Sequence, residues 1–337
     1  ETSINSADDI KVSIAKKLKV NVEDILEYKI IKRSLDARKK QDIYFVYRVA
    51  VSVHNESSII SKKITNVESY VEAVNTDNEE KAIYDKSKKI AIIGFGPAGM
   101  FSSLYFTNKD IKVTVFERGE KVENRKNSID RFITNGVLNT ESNIQFGEGG
   151  AGTWSDGKLT NRGKDIKAKY VFEEFVKAGA PEEIMYVHNP HIGTDKLIDI
   201  VRNIRLKIEQ SGSIIKFNHK VSNIIPHNTG ILLTVNDKEE YFDYVILATG
   251  HSARDTIEML YNNKCNIAQK PFAVGFRIEH QQKMINKAQF GEQFNNVRLG
   301  SAEYKLTHQT SSGKGVYTFC MCPGGLVVPA SSEEGML

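Results

Sequence analysis

The sequence predicts an α/β protein whose main domain has three layers of ββα type, with a parallel sheet between helices and a second layer of strands. An apolar run at residues 89–93 breaks into a glycine-rich turn, a helix-like segment and a second strand-like run at 112–116. Far downstream, the buried-type strand 243–247 ends in Ala248, Thr249 and Gly250. A strand, a helix and a second strand in this order indicate a parallel βαβ unit.

The turn after the first strand carries a G-x-G-x-x-G pattern, which reads Gly94-Phe95-Gly96-Pro97-Ala98-Gly99. Gly94 permits the tight turn, Gly96 lets a diphosphate approach the backbone, and Gly99 lets the helix pack closely on the sheet. Glu117 ends the second strand, 18 residues after Gly99, where a carboxylate can accept hydrogen bonds from ribose hydroxyls. Strand, turn, helix and acid together predict a dinucleotide site of the Rossmann type.

A second match to the same pattern covers residues 147–152, but turn-like residues follow it and no strand ending in an acid comes next. We therefore reject it as a second Rossmann fingerprint. Its glycines, Gly149 and Gly150 among them, could instead present backbone N–H groups to a diphosphate or a flavin. A glycine-rich surface loop is the alternative.

The strands between the two halves of the domain indicate which dinucleotide is bound. Runs at 214–218 and 219–225 are strand-like, and 231–235 and 240–242 form a hairpin pattern before the Ala-Thr-Gly turn. This arrangement resembles the glutathione-reductase-like FAD family, whose FAD domain closes with such a turn after a three-stranded insert. The resemblance implies FAD rather than NAD and places Val221 against adenine. Taken alone, the 243–250 run would fit any parallel core strand.

A closer resemblance covers essentially the whole chain. Its motifs are segments 94–99, 136–139, 142–153, 155–159, 190–197 and 320–325. They are similar to bacterial proteins described as FAD-dependent proteins or "NAD(FAD)-utilising dehydrogenases", with Trp154 standing where that group is expected to have Phe. The resemblance implies the fold and the cofactor but leaves the substrate open.

Composition agrees with a globular protein. The chain has 337 residues, 40% hydrophobic and 26% charged, and a net charge of +4 that is too small to argue for nucleic acid. Three cysteines make no disulfide framework, and we find no signal peptide and no long apolar run, so we expect a cytoplasmic location and no membrane partner. The chain starts with Glu1 and shows no obvious stop, so we expect a fragment that lacks the C-terminal return to the FAD domain implied by the resemblance.

Three regions follow from these patterns: a small α+β domain at 1–80, the FAD-binding domain at 81–252, and a β-rich substrate or capping region at 253–337. The polar segment 75–81 is the predicted linker. In the first region, a helix to about Leu18 precedes strands near 29–34 and 43–53. The basic turn 33–40 between them could touch a phosphate or an acidic partner, or could be a solvated loop.

Several side chains could contribute chemistry near a flavin. Lys158 could place a cation near the flavin N1–O2 edge. Arg118 and Arg125 follow the ribose-binding acid and could meet phosphate, although surface positions are equally consistent. His191 lies just before a predicted helix start near Thr194, so a catalytic role competes with a loop role there.

The cysteines of the 320–325 segment are further catalytic candidates. Cys320 and Cys322 lie two residues apart after a strand-like run, so both sulfurs would point to one face. A disulfide between them would be strained. A reactive thiol facing the flavin and a pair of buried structural cysteines both remain open. The chain has no metal-ligand spacing, so we expect no metal.

These features predict an FAD-dependent oxidoreductase of unknown small-molecule substrate, with hydride transfer through flavin N5. We find no second Rossmann unit, so NAD(P)H, if used, would bind transiently beside the flavin. The alternatives are a flavin-binding scaffold without turnover, and an RNA-modification-type or other macromolecule-binding flavoprotein docked by its N-terminal unit. Weak charge and the absence of interleaved aromatic and basic residues argue against nucleic acid.

Overall fold

A computed structural model describes residues 2–3, 9–72, 85–154, 157–159, 167–188, 190–319 and 321–336. The predicted linker, residues 75–81, lies outside these residues. Among the described residues, no helix combines the length and apolar character needed to cross a membrane.

The N-terminal unit is a three-stranded antiparallel sheet with two helices against one face. Its elements are β1 (Thr2–Ser3), α1 (Ile10–Leu18), β2 (Ile25–Asp36), β3 (Tyr44–Val53) and α2 (Glu56–Ser61). Asp9 caps α1, because its carboxylate accepts the Lys11 N–H. Helix side chains pack on Val49, Val51 and Val53, since alternate residues of a strand point to one face. The predicted α+β unit is confirmed.

The central domain contains seven strands and four helices in its described part. In chain order they are β4 (Ile90–Ile93), α3 (Pro97–Asn108), β5 (Val113–Glu117), α4 (Val122–Asn135), α5 (Lys167–Lys177), α6 (Thr194–Gln210), β6 (Ile214–Phe217), β7 (Val221–His227), β8 (Gly230–Val235), β9 (Lys238–Phe242) and β10 (Tyr244–Leu247). The parallel sheet has the order β10-β4-β5-β6, and β7-β8-β9 form a separate antiparallel sheet.

The two faces of the parallel sheet bury different layers. On one face, Ile92 and Val115 belong to the core that includes α3 and α6. On the other, Ile93 and Phe116 pack against the antiparallel sheet, where Leu233 is fully buried. The period-2 alternation of strand side chains explains this division. Helices, parallel sheet and antiparallel sheet form the predicted ββα layering.

The C-terminal region differs from its β-rich prediction. Its described part holds α7 (Arg254–Asn262), α8 (Gln282–Phe290) and one hairpin of β11 (Thr307–Gln309) and β12 (Gly315–Tyr317). Residues 266–280 form neither helix nor strand, and Phe272 and Phe276 are 86% and 103% exposed. A strand requires a hydrogen-bonded neighbour, and this segment has none among the described strands. Helix α7 instead packs near β7, where the Asn263 side chain donates to the Ile224 carbonyl.

The N-terminal unit packs against both other regions. The Arg33 N–H donates to the Tyr186 carbonyl at 2.7 Å, and the His188 N–H donates to the Arg33 carbonyl at 2.9 Å. The guanidinium groups of Arg33 and Arg298 lie 5.7 and 5.8 Å from the Phe45 ring centroid. Arg33, predicted to begin a basic turn, therefore lies in β2 and joins the N-terminal unit to the central domain.

A small buried cluster completes the contact with the C-terminal region. Ile43 is 2% exposed and packs with Phe290 and Ala302. We expect Ile43→Ala to lower the free energy of unfolding by about 2–5 kcal/mol, since truncation removes buried methyl groups and leaves a cavity. Urea unfolding measures this loss in the free energy of unfolding. The control Val12→Ala, at a half-exposed position of α1, should change stability by less than about 0.5 kcal/mol. Equal losses in both variants would contradict a contribution from this cluster.

Candidate dinucleotide site

A cavity of about 660 Å³ lies at the carboxyl ends of β4, β5 and β10. Ligands of open parallel sheets bind at this edge. Eleven of the thirteen residues predicted to bind the cofactor line it. They are Gly94, Gly96, Pro97, Ala98, Glu117, Arg118, Gly150, Val221, Ala248, Thr249 and Gly250. Residues far apart in the chain thus meet in one space, because the parallel register aligns the ends of these three strands.

Gly99 and Gly149 are absent from the lining and support the site from behind. An added Cβ on Gly99 would lie 1.9 Å from the Gly94 carbonyl oxygen, so only glycine lets α3 pack this closely on the turn. Gly149 has a φ of +81°, and its Cβ would lie 2.1 Å from the Thr153 Oγ1. Its N–H donates to the Phe95 carbonyl at 2.9 Å, which joins the two glycine turns.

Gly96 and Gly150 lie next to each other in the cavity lining, where the two glycine turns meet, and form a cradle that fits a diphosphate. An added Cβ on Gly96 would lie 3.7 Å from the Gly150 Cα, and one on Gly150 would lie 3.0 Å from the Pro97 Cδ. Gly96 is the N-cap of α3, whose first N–H groups and positive dipole end face this space. The absence of side chains at these two positions leaves the main chain of both turns open to an anionic group.

Glu117 has more hydrogen-bond partners than the sequence indicated. Its carboxylate accepts the N–H groups of Phe95 at 2.6 Å, Gly119 at 2.8 Å and Gly147 at 3.1 Å. It is 4% exposed and lines the cavity. A carboxylate offers about four lone-pair sites, so one remains for the predicted contact with ribose. Glu117 therefore also ties the first glycine turn to the second, a role with no local sequence signal.

Arg118 lines the cavity but is already paired within the protein. Its guanidinium contacts Glu141 at 2.7 Å and Asp255 at 2.7 Å, and lies 4.4 Å from the Phe146 ring centroid. Lys220 pairs with the same two carboxylates. Burial alone would raise the pKa of Asp255, but hydrogen bonds from Arg118 and Lys220 hold it well below its usual range. This cluster positions the rim of the cavity; a phosphate contact by Arg118 stays a prediction.

Arg125 lies at neither of its two predicted positions, the phosphate or the surface. It is fully buried, and its guanidinium donates to main-chain carbonyls between residues 143 and 150. Buried Glu148 interacts electrostatically with Arg125, and its carboxylate accepts the Val122 N–H and pairs with Arg205 at 2.8 Å. The surface alternative is wrong because α4, missed from the sequence, places this side chain inward.

Two of the four catalytic candidates come together outside the lining of this cavity. Lys158 and His191 pair in an antiparallel β-bridge, supported by the Leu159 N–H donating to the Pro190 carbonyl at 3.0 Å. Neither residue lines the cavity. Helix α6 begins at Thr194 as predicted. A catalytic role for Lys158 or His191 stays a prediction.

Of the two cysteine candidates, the structure describes only Cys322. Cys320 lies outside the described residues, and Cys322 is solvent-exposed. Cys322 is absent from the cavity lining. The expectation of buried structural cysteines does not hold for Cys322, because the turn that follows it lies at the surface.

Similarity to known proteins agrees with the geometry. A family model described as pyridine nucleotide-disulphide oxidoreductase matches residues 88–289, which is more than half of the chain. The chain belongs to this family. A model described as "FAD-dependent protein, C-terminal domain-like" matches residues 271–337, and a domain of unknown function matches residues 2–52. The two named family matches identify FAD as the cofactor.

One relative is an uncharacterised protein of Clostridium beijerinckii, 44% identical over 336 residues. The alignment covers 98% of this chain, which spans 63% of that relative's length. Solved structures show weaker similarity. Lactococcus lactis thioredoxin reductase is 17% identical with a TM-score of 0.28, covering 48% of this chain and 35% of its own. Geobacillus kaustophilus glycine oxidase is 11% identical with a TM-score of 0.34, covering 52% of this chain and 59% of its own.

Proposed function

We propose that this protein is an FAD-dependent oxidoreductase of the group described as FAD-dependent proteins, acting on a small molecule by hydride transfer. The observation that carries the proposal is the cradle of Gly96 and Gly150 at the carboxyl edge of the parallel sheet. When bound, FAD supplies hydride chemistry at its N5 position. The C-terminal family match in residues 271–337 supports the narrower group assignment.

The protein's own residues bind and orient the cofactor. The N-terminus of α3 directs N–H groups and a partial positive charge toward the diphosphate position. Glu117 holds the two glycine turns together and offers an acceptor for ribose hydroxyls. Val221, the first residue of β7, lies at the cavity wall, where the resemblance places adenine. Gly150, Ala151 and Gly152 also line the cavity.

We propose NADH or NADPH as a transient electron donor. The cavity at the sheet edge is assigned to FAD, and the sequence carries no second Rossmann fingerprint for a nicotinamide dinucleotide. A nicotinamide would therefore bind beside the flavin. The N-terminal unit, which the rival hypothesis uses to dock a macromolecule, places Arg33, Ile43 and Phe45 in contacts with the rest of the chain. Those residues support a structural role for the unit.

We expect NADH or NADPH to bleach the flavin absorbance band in an anaerobic titration of the FAD-loaded, full-length protein. Hydride transfer to the flavin removes that band, so the reaction reports electron donation directly. Dithionite reduction of the same sample is the control for a reducible flavin. Bleaching by dithionite but by no nicotinamide would overturn NAD(P)H as donor. If fractionated cell extract also leaves the band unchanged, the oxidoreductase proposal gives way to the scaffold alternative.

A further inference from the structure

We propose that Arg125 is a positioning residue that shapes the second glycine turn and thereby directs the Ala151 N–H at the FAD diphosphate. The inference rests on the proposed FAD site and gives a role to a residue that does not line the cavity of that site. Arg125 lies on α4, one turn after the helix begins at Val122.

The contacts of Arg125 account for most of its donor capacity. Its Nε donates to the Asn143 carbonyl at 2.8 Å, and its Nη2 donates to the Ile144 carbonyl at 2.9 Å. Its Nη1 donates to the carbonyls of Glu148 at 2.6 Å and Gly150 at 2.9 Å. A single planar guanidinium thus holds four carbonyls of the loop that ends at the cradle.

The turn can adopt this shape only with glycines. Gly147, Gly149 and Gly150 have φ values of +115°, +81° and +62°, a region that other residues rarely enter. A Cβ on Gly147 would lie 2.5 Å from the Arg125 Cδ, so the side chain of Arg125 occupies the space that a larger residue would need. Arginine and glycine turn therefore form one packed unit.

Peptide geometry transmits this arrangement to the cavity. In a planar trans peptide, the carbonyl and the following N–H point in opposite directions. The Gly150 carbonyl points inward to Arg125, so the Ala151 N–H points away from it, and Ala151 lines the cavity. Among the described residues, no acceptor for the Ala151 N–H is found. An N–H held in this way suits an anionic oxygen of the ligand.

Arg125 also carries a buried positive charge that contacts the carbonyl of Gly150, a residue of the cavity lining. Burial lowers its pKa to about 10, while the nearby carboxylates of Glu117 and Glu148 oppose that change. The guanidinium therefore stays charged at neutral pH. Lysine would keep the charge, but its ammonium has three donors on a point-like head and cannot hold four carbonyls in a plane. Arg125→Lys thus separates loop geometry from charge.

The test compares ADP with AMP, which differ by one phosphate, as ligands of the FAD-free protein in titration calorimetry. We expect the wild type to prefer ADP, and Arg125→Lys to reduce that preference about tenfold, the value of one hydrogen bond to a charged group. AMP affinity should change less than about twofold. Arg131→Lys, at an exposed position of the same helix, is the control and should bind like the wild type.

An unchanged ADP preference in folded Arg125→Lys would overturn the proposal. If that variant does not fold, amide exchange of the wild type, measured by NMR, tests whether the Ala151 N–H binds the diphosphate. The Ala151 amide should exchange quickly in the free protein, slow down with ADP and not with AMP; no slowing with ADP would refute the inference. A wild type that binds neither FAD nor ADP would instead refute the FAD site itself, so the two failures are distinguishable.

Discussion

Replacing Gly96 with valine should yield a folded protein that no longer retains FAD. The backbone of Gly96 has a φ of −74°, which any residue adopts without strain. Its Cβ would make only an ordinary 3.7 Å contact with the Gly150 Cα, so the fold accepts a Cβ there. The two γ-methyl groups of valine would extend into the cradle and displace the diphosphate, which removes the contacts at the α3 N-terminus.

Flavin content after purification and the affinity for added FAD, followed by flavin fluorescence, measure this effect. We expect at least a hundredfold loss of affinity, since the ligand loses several hydrogen bonds to main-chain N–H groups at once. Gly275→Val is the matched control, because nothing lies within 4 Å of its Cβ position and it lies away from the cavity. FAD content equal to the wild type in Gly96→Val would mean that the cradle does not hold the diphosphate.

Glu117→Gln should weaken both the fold and FAD binding. Three main-chain N–H groups donate to the two carboxylate oxygens of Glu117. A glutamine amide presents an NH₂ group in place of one oxygen, so at least one buried N–H faces another donor. Leaving a buried donor without its charged acceptor costs about 2–3 kcal/mol. The same change loosens the link between the two glycine turns, and FAD affinity should fall in parallel.

Urea unfolding of the FAD-free protein separates the two effects of Glu117→Gln. The control Glu240→Gln removes a partly exposed carboxylate that pairs with Lys216 at 2.8 Å, and should cost less than about 1 kcal/mol. If Glu117→Gln keeps full stability and loses only FAD, the carboxylate serves the ribose alone. If it loses neither, both the structural and the ribose roles assigned to Glu117 are wrong.

The local sequence was enough to predict the central parallel sheet. Residues 90–117 carry two β-branched runs, a glycine turn between them and a Pro at the first helical position, and each of these signals acts within a few residues. The hairpin of β8 and β9 was equally readable, because Asn236 and Asp237 tolerate the positive φ that its turn requires. The glycine and Ala-Thr-Gly turns then marked the cavity walls, since parallel strands end at one edge.

The C-terminal region shows where such local signals fail. The apolar segment around Phe272 and Phe276 has the composition of strands, yet its described residues are exposed and unpaired in any sheet. A strand forms only when another strand supplies its hydrogen-bond partners, which no local pattern can report. Helices α4 and α5 were also not predicted, although their main-chain hydrogen bonds are local.

By itself, the sequence determined the ββα domain, the FAD fingerprint and the small N-terminal α+β unit, because short-range periodicity and turn chemistry specify them. Only the tertiary structure showed that Arg125 holds the second glycine turn, that Glu117 joins both turns, and that Arg33 docks the N-terminal unit. Each of these depends on which distant main-chain groups meet a buried side chain. Packing between elements decides which main-chain groups a buried side chain contacts, and a short stretch of sequence does not contain that information.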